Sequence, residues 1–542
     1  MTHSLAIREN LHFLLVEILS HLTLLNEYLE QPSISIATRL MERRGYMESL
    51  RRTIQEHSLR QMTEKPKHEA DRQRYRSIEV IATQLERMAE LCRESVMQAA
   101  QIQDYQLTQT KIYRSMLERV DDAVNLIEPA LQEQNTAQAL KIGKVEGQLN
   151  QDYQQFLKAE TKALKKAQRP TDCISQILLA HHIKQLGDAL RVISEAVISI
   201  SMGQHFSTER YHALTQSVED LKTVNGLDDL QVVSMSPTRS GSTINALSDE
   251  DAVTHAVFKD GRKRKLKAER QRVEDWHEIL PGLAPKILSY RKQRDSASLL
   301  IEHLAGETFE QILLHGSAGQ LQAAFGQLTE TLKRIWRETR SEKPARADYI
   351  GQLDKRLPDV YTIHPEFQTP DCFINGLELP GFRQLIDRAR QLEKSFKVPF
   401  SVYIHGDFNV DNIIYDAHEK RINFIDLHRS RHMDYLQDVS VFMVSCYRLK
   451  VFDPVIRRRI QVLCHDFYRF SKQQARKHGD DSFEIRLTLG LIRSFVTSTR
   501  FILDKSLSRA MYSRAVYLMQ RLLASQEKER SFKLPIEEVF LG

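Results

Sequence analysis

Glycine and proline are scarce in this chain of 542 residues, 20 and 15 respectively. Both punctuate regular structure, so their scarcity excludes a loop-rich or collagen-like chain and favours long helices. The five cysteines, Cys92, Cys173, Cys372, Cys446 and Cys464, stand far apart with no CxxC or CxxH spacing. That excludes a cysteine-rich zinc site and a disulfide framework, and predicts buried, reduced thiols in a cytoplasmic protein. No run approaches the roughly 18 apolar residues a membrane span requires. The opening text, MTHSLAIRENLHFLLVEILSHL, is interrupted by Arg8, Glu9, His12, Glu17 and His21 and lacks the marks of a secretion signal. A strong charge of either sign is missing too: 77 basic and 71 acidic residues leave +6, too mild to imply a nucleic-acid partner. What remains is an ordinary globular balance, 41% hydrophobic and 27% charged. Its length predicts roughly two to four domains.

Leu11, Leu14, Leu15, Ile18, Leu22 and Leu25 recur at three- and four-residue intervals, the pattern of an amphipathic helix. Gln31-Pro32-Ser33 ends it, and further helices are expected over about 35–61, 74–103, 113–133, 136–167 and 175–202. Three helices to about residue 103 are followed by three more to about 203. The last of each set carries similar text, IATQLERMAELCRESVMQAAQ and LAHHIKQLGDALRVISEAVIS. This repeat resembles the PhoU family of phosphate-uptake regulators, which implies an all-α region of two tandem three-helix bundles over 1–210. In that family the third helices hold paired acids that bind metal clusters. Glu86 and Glu90 keep the pair in the first repeat, whereas Lys184 replaces the acid upstream of Asp188 in the second. Arg43-Arg44-Gly45 and Glu146-Gly147 stand where neighbouring acids are expected. An ammonium opposes a cation, so the second cluster is expected to be lost. Glu86 and Glu90, beside Arg87 and Arg93, are read as a solvated helix face rather than as ligands.

Beyond residue 205 the text is more polar, and a short helix followed by a linker over 211–225 is expected. Gln231–Met235 suits a strand, Ser240-Gly241-Ser242-Thr243 a small-residue loop, and Thr254–Lys259 another strand. Small residues let backbone N–H groups approach an anion. Lys259 ends its strand and Glu269 opens a helical run, so the two are natural partners; Lys263, Lys265 and Lys267 are the alternatives within KDGRKRKLKAER. That basic run also suits docking of an acidic substrate or partner. Leu299–Leu304 reads as a buried strand, Glu307 onward as a helix, and 320–343 and 381–394 as further helices.

The text YIHGDFNVDNIIYDAHEKRINFID, residues 403–426, reads as strand, turn, strand, with Asp407, Asn412 and Asp426 at set places among apolar residues. Phosphoryl transfer from ATP needs one carboxylate to orient the acceptor hydroxyl, and an amide oxygen with a second carboxylate to hold Mg²⁺. HGDxxxxN followed by a strand ending in Ile-Asp resembles the aminoglycoside phosphotransferase and choline kinase-like enzymes, and SGSTIN resembles their SGGxxN stretch. The resemblance implies an α+β, protein-kinase-like bilobal fold, with small lobe and hinge over 226–304 and large lobe over 305–542. It implies ATP and Mg²⁺ as cofactors and a small-molecule hydroxyl as substrate. Asp407 then corresponds to the catalytic base and Asn412 and Asp426 to metal ligands. Ser240, Gly241 and Ser242 lie over the phosphates, Lys259 with Glu269 steadies them, and Glu302, His303 and Leu304 form the hinge that meets the adenine. Asp438 would fix the catalytic loop and His405 shape its turn, while Arg429, Arg431, His432 and Asp434 are candidate acceptor contacts on an exposed loop. Two other readings stay open: a nucleotide-binding regulator of phosphate metabolism with little transfer, and an interaction protein whose helical region engages a transporter or sensor kinase.

Overall fold

The computed structural model describes residues 2–64, 69–165, 167–219, 231–234, 243–248, 254–292, 296–343, 346–396, 398–527 and 531–541. Contacts divide the chain into two compact units, Met1–Phe258 and Lys259–Gly542.

The first unit runs through α1 (Thr2–Glu30), α2 (Ile34–Glu42), α3 (Arg44–Glu64), α4 (Glu69–Ala99), α5 (Lys111–Asn125), α6 (Ile127–Gln132), α7 (Thr136–Leu164), α8 (Pro170–Ser201) and α9 (Thr208–Val218). Helices α1, α3 and α4 pack together, as do α5, α7 and α8, and α4 lies against α8. These are the two three-helix sets that the repeat implies. Apolar spacing decides the buried face: Leu14, Ile18 and Leu25 of α1 are enclosed, while Phe13 and Val16 lie half exposed on its other side.

Two expected helices are split. The stretch 35–61 breaks at Arg43, between α2 and α3. The stretch 113–133 breaks at Leu126, because Pro129 has no N–H to donate and its ring crowds the carbonyl four residues back, at Asn125, where α5 ends. Residues 211–218, assigned to the linker on sequence, are helical. Ser207 caps α9 by accepting from Arg210 N, and Tyr211 Oη donates to Thr136 Oγ1 at 2.9 Å. The remainder of that linker, 220–225, lies outside the described residues. Glu86 is ion-paired with Arg51 at 2.5 Å, Glu90 with Arg87 at 2.8 Å, and Lys184 with Asp188 at 2.7 Å.

The strands are β1 (Gln231–Ser234), β2 (Thr243–Ser248), β3 (Thr254–Arg262), β4 (Ile287–Lys292) and β5 (Ser296–Glu302); β1 pairs antiparallel with β2 in the first unit and β4 with β5 in the second, and the division falls within β3. β2 and β4 are additional to the strands expected from sequence; β4 has only one fully buried position and so offers no clear alternation.

The second unit continues with α10 (Lys263–Ile279), β6 (Glu307–Thr308), α11 (Phe309–His315), α12 (Ala318–Glu338), α13 (Tyr349–Ile363), β7 (Cys372–Ile374), β8 (Leu377–Leu379) and α14 (Phe382–Ser395). Then come β9 (Val402–Ile404), β10 (Ile413–Asp416), β11 (Arg421–Phe424), β12 (Arg431–Met433), α15 (Leu436–Tyr447), α16 (Pro454–Lys477), α17 (Phe483–Thr499), α18 (Lys505–Glu527) and α19 (Ile536–Val539). This half is α+β, as expected. The helix read from Glu307 starts two residues later. Thr308 first pairs with Ile414 of β10, then caps α11 through reciprocal bonds with Gln311. Cys372 is exposed, contrary to expectation, because it lies on a two-stranded ribbon too small to bury both faces. Every residue of α15 is buried, and α15 packs on α16 and α17 to form the centre of the core. Among the described residues no helix is long and apolar enough to cross a membrane.

Candidate active site

Residues 403–426 fold as β9, a tight turn and the β10–β11 hairpin. β9 pairs with β12, and the hairpin sets Ile413 opposite Phe424. Continuing that register, Ile425 N donates to Asn412 O at 3.1 Å, which brings Asn412 within one residue of Asp426. Asn412 Nδ2 donates to Asp407 O at 2.9 Å. Hydrogen bonding thus gathers the three polar residues at the open end of the hairpin.

The turn before Asp407 is held rigidly. Gly406 has φ +82°, and a Cβ there would overlap the Arg429 carbonyl, so the position requires glycine. Asp438, in the first turn of α15, accepts from His405 N at 2.7 Å and Gly406 N at 2.8 Å. Burial pushes its pKa up to about 7, against the two donors that favour the charged form. His405 Nδ1 accepts from Asp407 N at 3.2 Å, so the ring proton sits on Nε2, which donates to Ile425 O at 3.0 Å. Burial lowers the His405 pKa to about 4, leaving a neutral ring near pH 7 whose proton is committed to the backbone. Ser430 Oγ donates to His405 O at 3.2 Å and accepts from Trp276 Nε1 at 2.9 Å, anchoring the loop to α10.

Asp407 is half-buried; Oδ1 accepts from Asn409 Nδ2 at 2.9 Å, and Oδ2 lies 3.2 Å from an Arg429 guanidinium nitrogen. Asp426 has φ +59°, a conformation that costs a non-glycine residue energy and recurs at functional positions. Burial alone would raise its carboxyl pKa. His428, Lys259 and Lys265 outweigh burial and hold it well below the usual carboxylate range. Lys265 Nζ lies 3.6 Å and His428 Nδ1 3.3 Å from Asp426 Oδ1. Mg²⁺ prefers hard oxygen donors. The ionised Asp426 carboxylate and the amide oxygen of Asn412, whose nitrogen makes the bond to Asp407, fit that preference.

Lys259 Nζ lies 2.5 Å from Glu269 Oε1, with the two side chains only 6% and 3% exposed. Burial opposes the Lys259 charge, but Glu269 and Asp426 raise its pKa above the ordinary value and keep it protonated. Of the alternative lysines, Lys265 sits beside Asp426 instead. Glu302 closes β5, its N–H donating to Lys286 O at 2.9 Å, followed by exposed His303 and buried Leu304. Gly306, two residues beyond Leu304, has φ +109° and passes so near the Tyr415 carbonyl that no side chain fits. Ser240, Gly241 and Ser242 lie outside the described residues.

Of the four candidate acceptor contacts, Arg429 reaches Asp407. Asp434 does not lie on an exposed loop: it is fully buried and paired with Arg486, which also binds Asp480 at 2.5 Å. Its carboxylate is needed to neutralise a buried guanidinium. Arg431 and His432 lie on β12, with the His432 ring edge-on to Tyr403 at 5.4 Å. Sequence reasoning passed over three arginines near Asp407: Arg356 on α13, Arg493 on α17 and Arg500 at the end of α17. The available signal was Arg493 standing within the apolar run LTLGLIRSFV. A separate groove of about 690 Å³, lined by Lys333, Arg334, Arg337 and Arg421 among others, includes none of the residues named for the site.

Comparison with known proteins bears on both halves. A search of the curated proteins gives no match. Among solved structures, an aminoglycoside phosphotransferase from Streptomyces rimosus is 20% identical, with 53% of this chain and 98% of that one covered, at a TM-score of 0.34. An ethanolamine kinase from Plasmodium vivax is 14% identical, covering 64% and 91%, at 0.35. PhoU from Pseudomonas aeruginosa is 15% identical, covering 38% and 99%, at 0.32. The model of the phosphotransferase enzyme family matches residues 241–470, a span that contains Lys259, Glu269, Asp407, Asn412 and Asp426. Residues 241–470 of this chain are thus similar to the phosphotransferase enzyme family.

Proposed function

We propose that the chain is an ATP- and Mg²⁺-dependent phosphotransferase acting on a small-molecule hydroxyl, with small lobe and hinge over 226–304 and large lobe over 305–542. The observation that carries this reading is the gathering of Asp407, Asn412 and Asp426 by the hairpin register, together with a separate buried Lys259–Glu269 pair in the same unit. Asp407 orients the acceptor and takes its hydroxyl proton as that oxygen bonds the γ-phosphorus and the bridging oxygen departs with ADP. Asp426 and Asn412 hold Mg²⁺, which neutralises charge on the phosphate oxygens. Lys259, oriented by Glu269, steadies the phosphates, and the backbone of Glu302, His303 and Leu304 meets the adenine. Ser240, Gly241 and Ser242 cover the phosphates. Asp438 acts as a positioning residue that fixes the turn, and His405 has no proton to offer the reaction.

The setting follows from the same reading. A cytoplasmic location gives access to ATP, and the helical half regulates the transfer or engages a protein partner, as its PhoU resemblance implies. The test is phosphorylation of a metabolite extract with labelled ATP by the full chain. Asp407→Asn is expected to lower transfer by about 10²- to 10⁴-fold with an unchanged melting curve. Undiminished transfer by that variant would remove Asp407 from the mechanism.

A further inference from the structure

The surroundings of Asp407 are more basic than transfer to a neutral or cationic alcohol requires. Helices α13 and α17 pack against each other. On α17 and its end, Arg493 and Arg500 are seven residues apart, about two turns, and therefore share a face. On α13, Tyr349 and Arg356 have the same spacing. Two contacts join the helices here: the Arg493 guanidinium lies 6.0 Å from the Tyr349 ring, and Arg500 lies 3.9 Å from Asp359 Oδ2, three residues beyond Arg356. Arg429, in the short turn before β12, contacts Asp407 at 3.2 Å.

Few of these guanidiniums are satisfied. Arg493 is 8% exposed, its Nε has no hydrogen-bond partner, and its bond to Ser440 Oγ is long at 3.5 Å. An Arg500 terminal nitrogen is buried without a hydrogen bond. Arg356 has neither a hydrogen bond nor an ion pair among the described residues. Burial first, then neighbouring positive charge, lowers the pKa of all three, to about 10 for Arg493 and Arg500, so each remains charged at neutral pH. The facing carboxylates are Asp407, Asp359 and Asp438, the last already committed to two backbone N–H groups. Four guanidiniums thus face three carboxylates, and a buried cation without a partner is costly. A planar donor fork is complementary to phosphate and carboxylate oxygens.

We propose, building on the phosphotransferase reading, that the acceptor alcohol carries an anionic group, a phosphate monoester or a carboxylate, which Arg356, Arg493 and Arg500 bind while its hydroxyl displaces Arg429 from Asp407. These incompletely hydrogen-bonded guanidiniums then select the acceptor, because a site with buried donors rejects analogues that lack their partner.

The test offers the full chain, with MgATP, one skeleton in three forms: glycerol, glycerol 3-phosphate and glycerate, with choline as the cationic alcohol. The expected result is that kcat/KM for an anionic form exceeds that for glycerol by about 100-fold. Arg500→Gln and Arg356→Gln should each cut that preference about tenfold or more, and whether phosphate or carboxylate is favoured identifies the group. Arg493→Gln is the more severe variant; the two half-buried positions keep the test valid if it fails to fold. Equal or better use of glycerol or choline would overturn the inference while leaving the phosphotransferase standing. If no alcohol is phosphorylated, the transfer reading fails separately, and the subsite is tested by titrating the same proteins with inorganic phosphate and following thermal stability. A saturating rise in the parent protein that is lost in Arg500→Gln and Arg356→Gln supports the anion site. No rise, or a rise that survives both substitutions, overturns it.

Discussion

Each half of the chain holds an ion pair of similar length, and the two pairs are physically different objects. In the helical half, Arg87 and Glu90 meet at 2.8 Å with their side chains 40% and 43% exposed. In the second half, Lys259 and Glu269 meet at 2.5 Å with 6% and 3% exposed. Water solvates the first pair whether or not it forms, so little free energy depends on it. The second pair has exchanged its hydration for ionic partners, and Glu269 is the nearest one Lys259 has. Backbone conformation draws a second contrast: Glu86 and Asp426 are similarly exposed, at 27% and 26%, but Glu86 sits in a regular helix whereas Asp426 is held at φ +59° beside the hairpin. Residue type and spacing nominate a carboxylate. Burial and a fixed backbone commit it to a role.

Removing one partner of the buried pair should show the largest effect. Lys259→Met leaves Glu269 charged and enclosed, with one carboxylate oxygen already lacking a hydrogen bond. The expected cost is about 3–5 kcal/mol in the unfolding transition of the second half, followed by chemical denaturation. Lys259→Met combined with Glu269→Leu should recover most of that loss while leaving transfer abolished. A single variant as stable as the parent would mean that the pair is solvated after all, and the contrast with Arg87–Glu90 would collapse.

Asp438 offers an intermediate test, one of pH. Its folded pKa of about 7 lies above the ordinary value of about 3.9 for an unfolded aspartate, so the fold favours the protonated form. The stability this contributes is complete below pH about 4 and is lost as pH rises through 7. The Asp438→Asn variant carries an amide that does not titrate. The stability of the parent relative to that variant should therefore decline from about pH 4.5 to about pH 7.5, read as the difference in denaturant midpoints. A difference that stays flat across this range would show that the two backbone donors, rather than burial, control Asp438.

The candidate site was legible in the sequence where its parts are local. Asn412 and Asp426 flank one hairpin with Asp407 in the turn before it, and Lys259 and Glu269 are ten residues apart, so strand and helix periodicity suffices to bring each group together. Arg356 and Arg493 belong to helices separated by more than a hundred residues, and only tertiary packing places them beside the same aspartate. Asp434 went unrecognised as a buried residue because its partner, Arg486, is also distant in sequence. The break at Leu126 is a different kind of omission: Pro129 was visible, and its clash with the carbonyl of Asn125 follows from the sequence alone.

The smallest expected effect is at Glu90. Glu90→Ala removes a pair whose members are both substantially exposed, and Arg87 retains Glu94 at 3.3 Å as a second partner. Alanine is also the better helix former, which offsets part of the lost attraction. The net change should lie within about 0.5 kcal/mol and diminish further in high salt, measured as a thermal or denaturant midpoint of the helical half. A loss several times larger, persisting at high salt, would mean that Glu90 is bound to something stronger than Arg87. A loss that appears only in protein not treated with a chelator would assign that stronger partner as a cation.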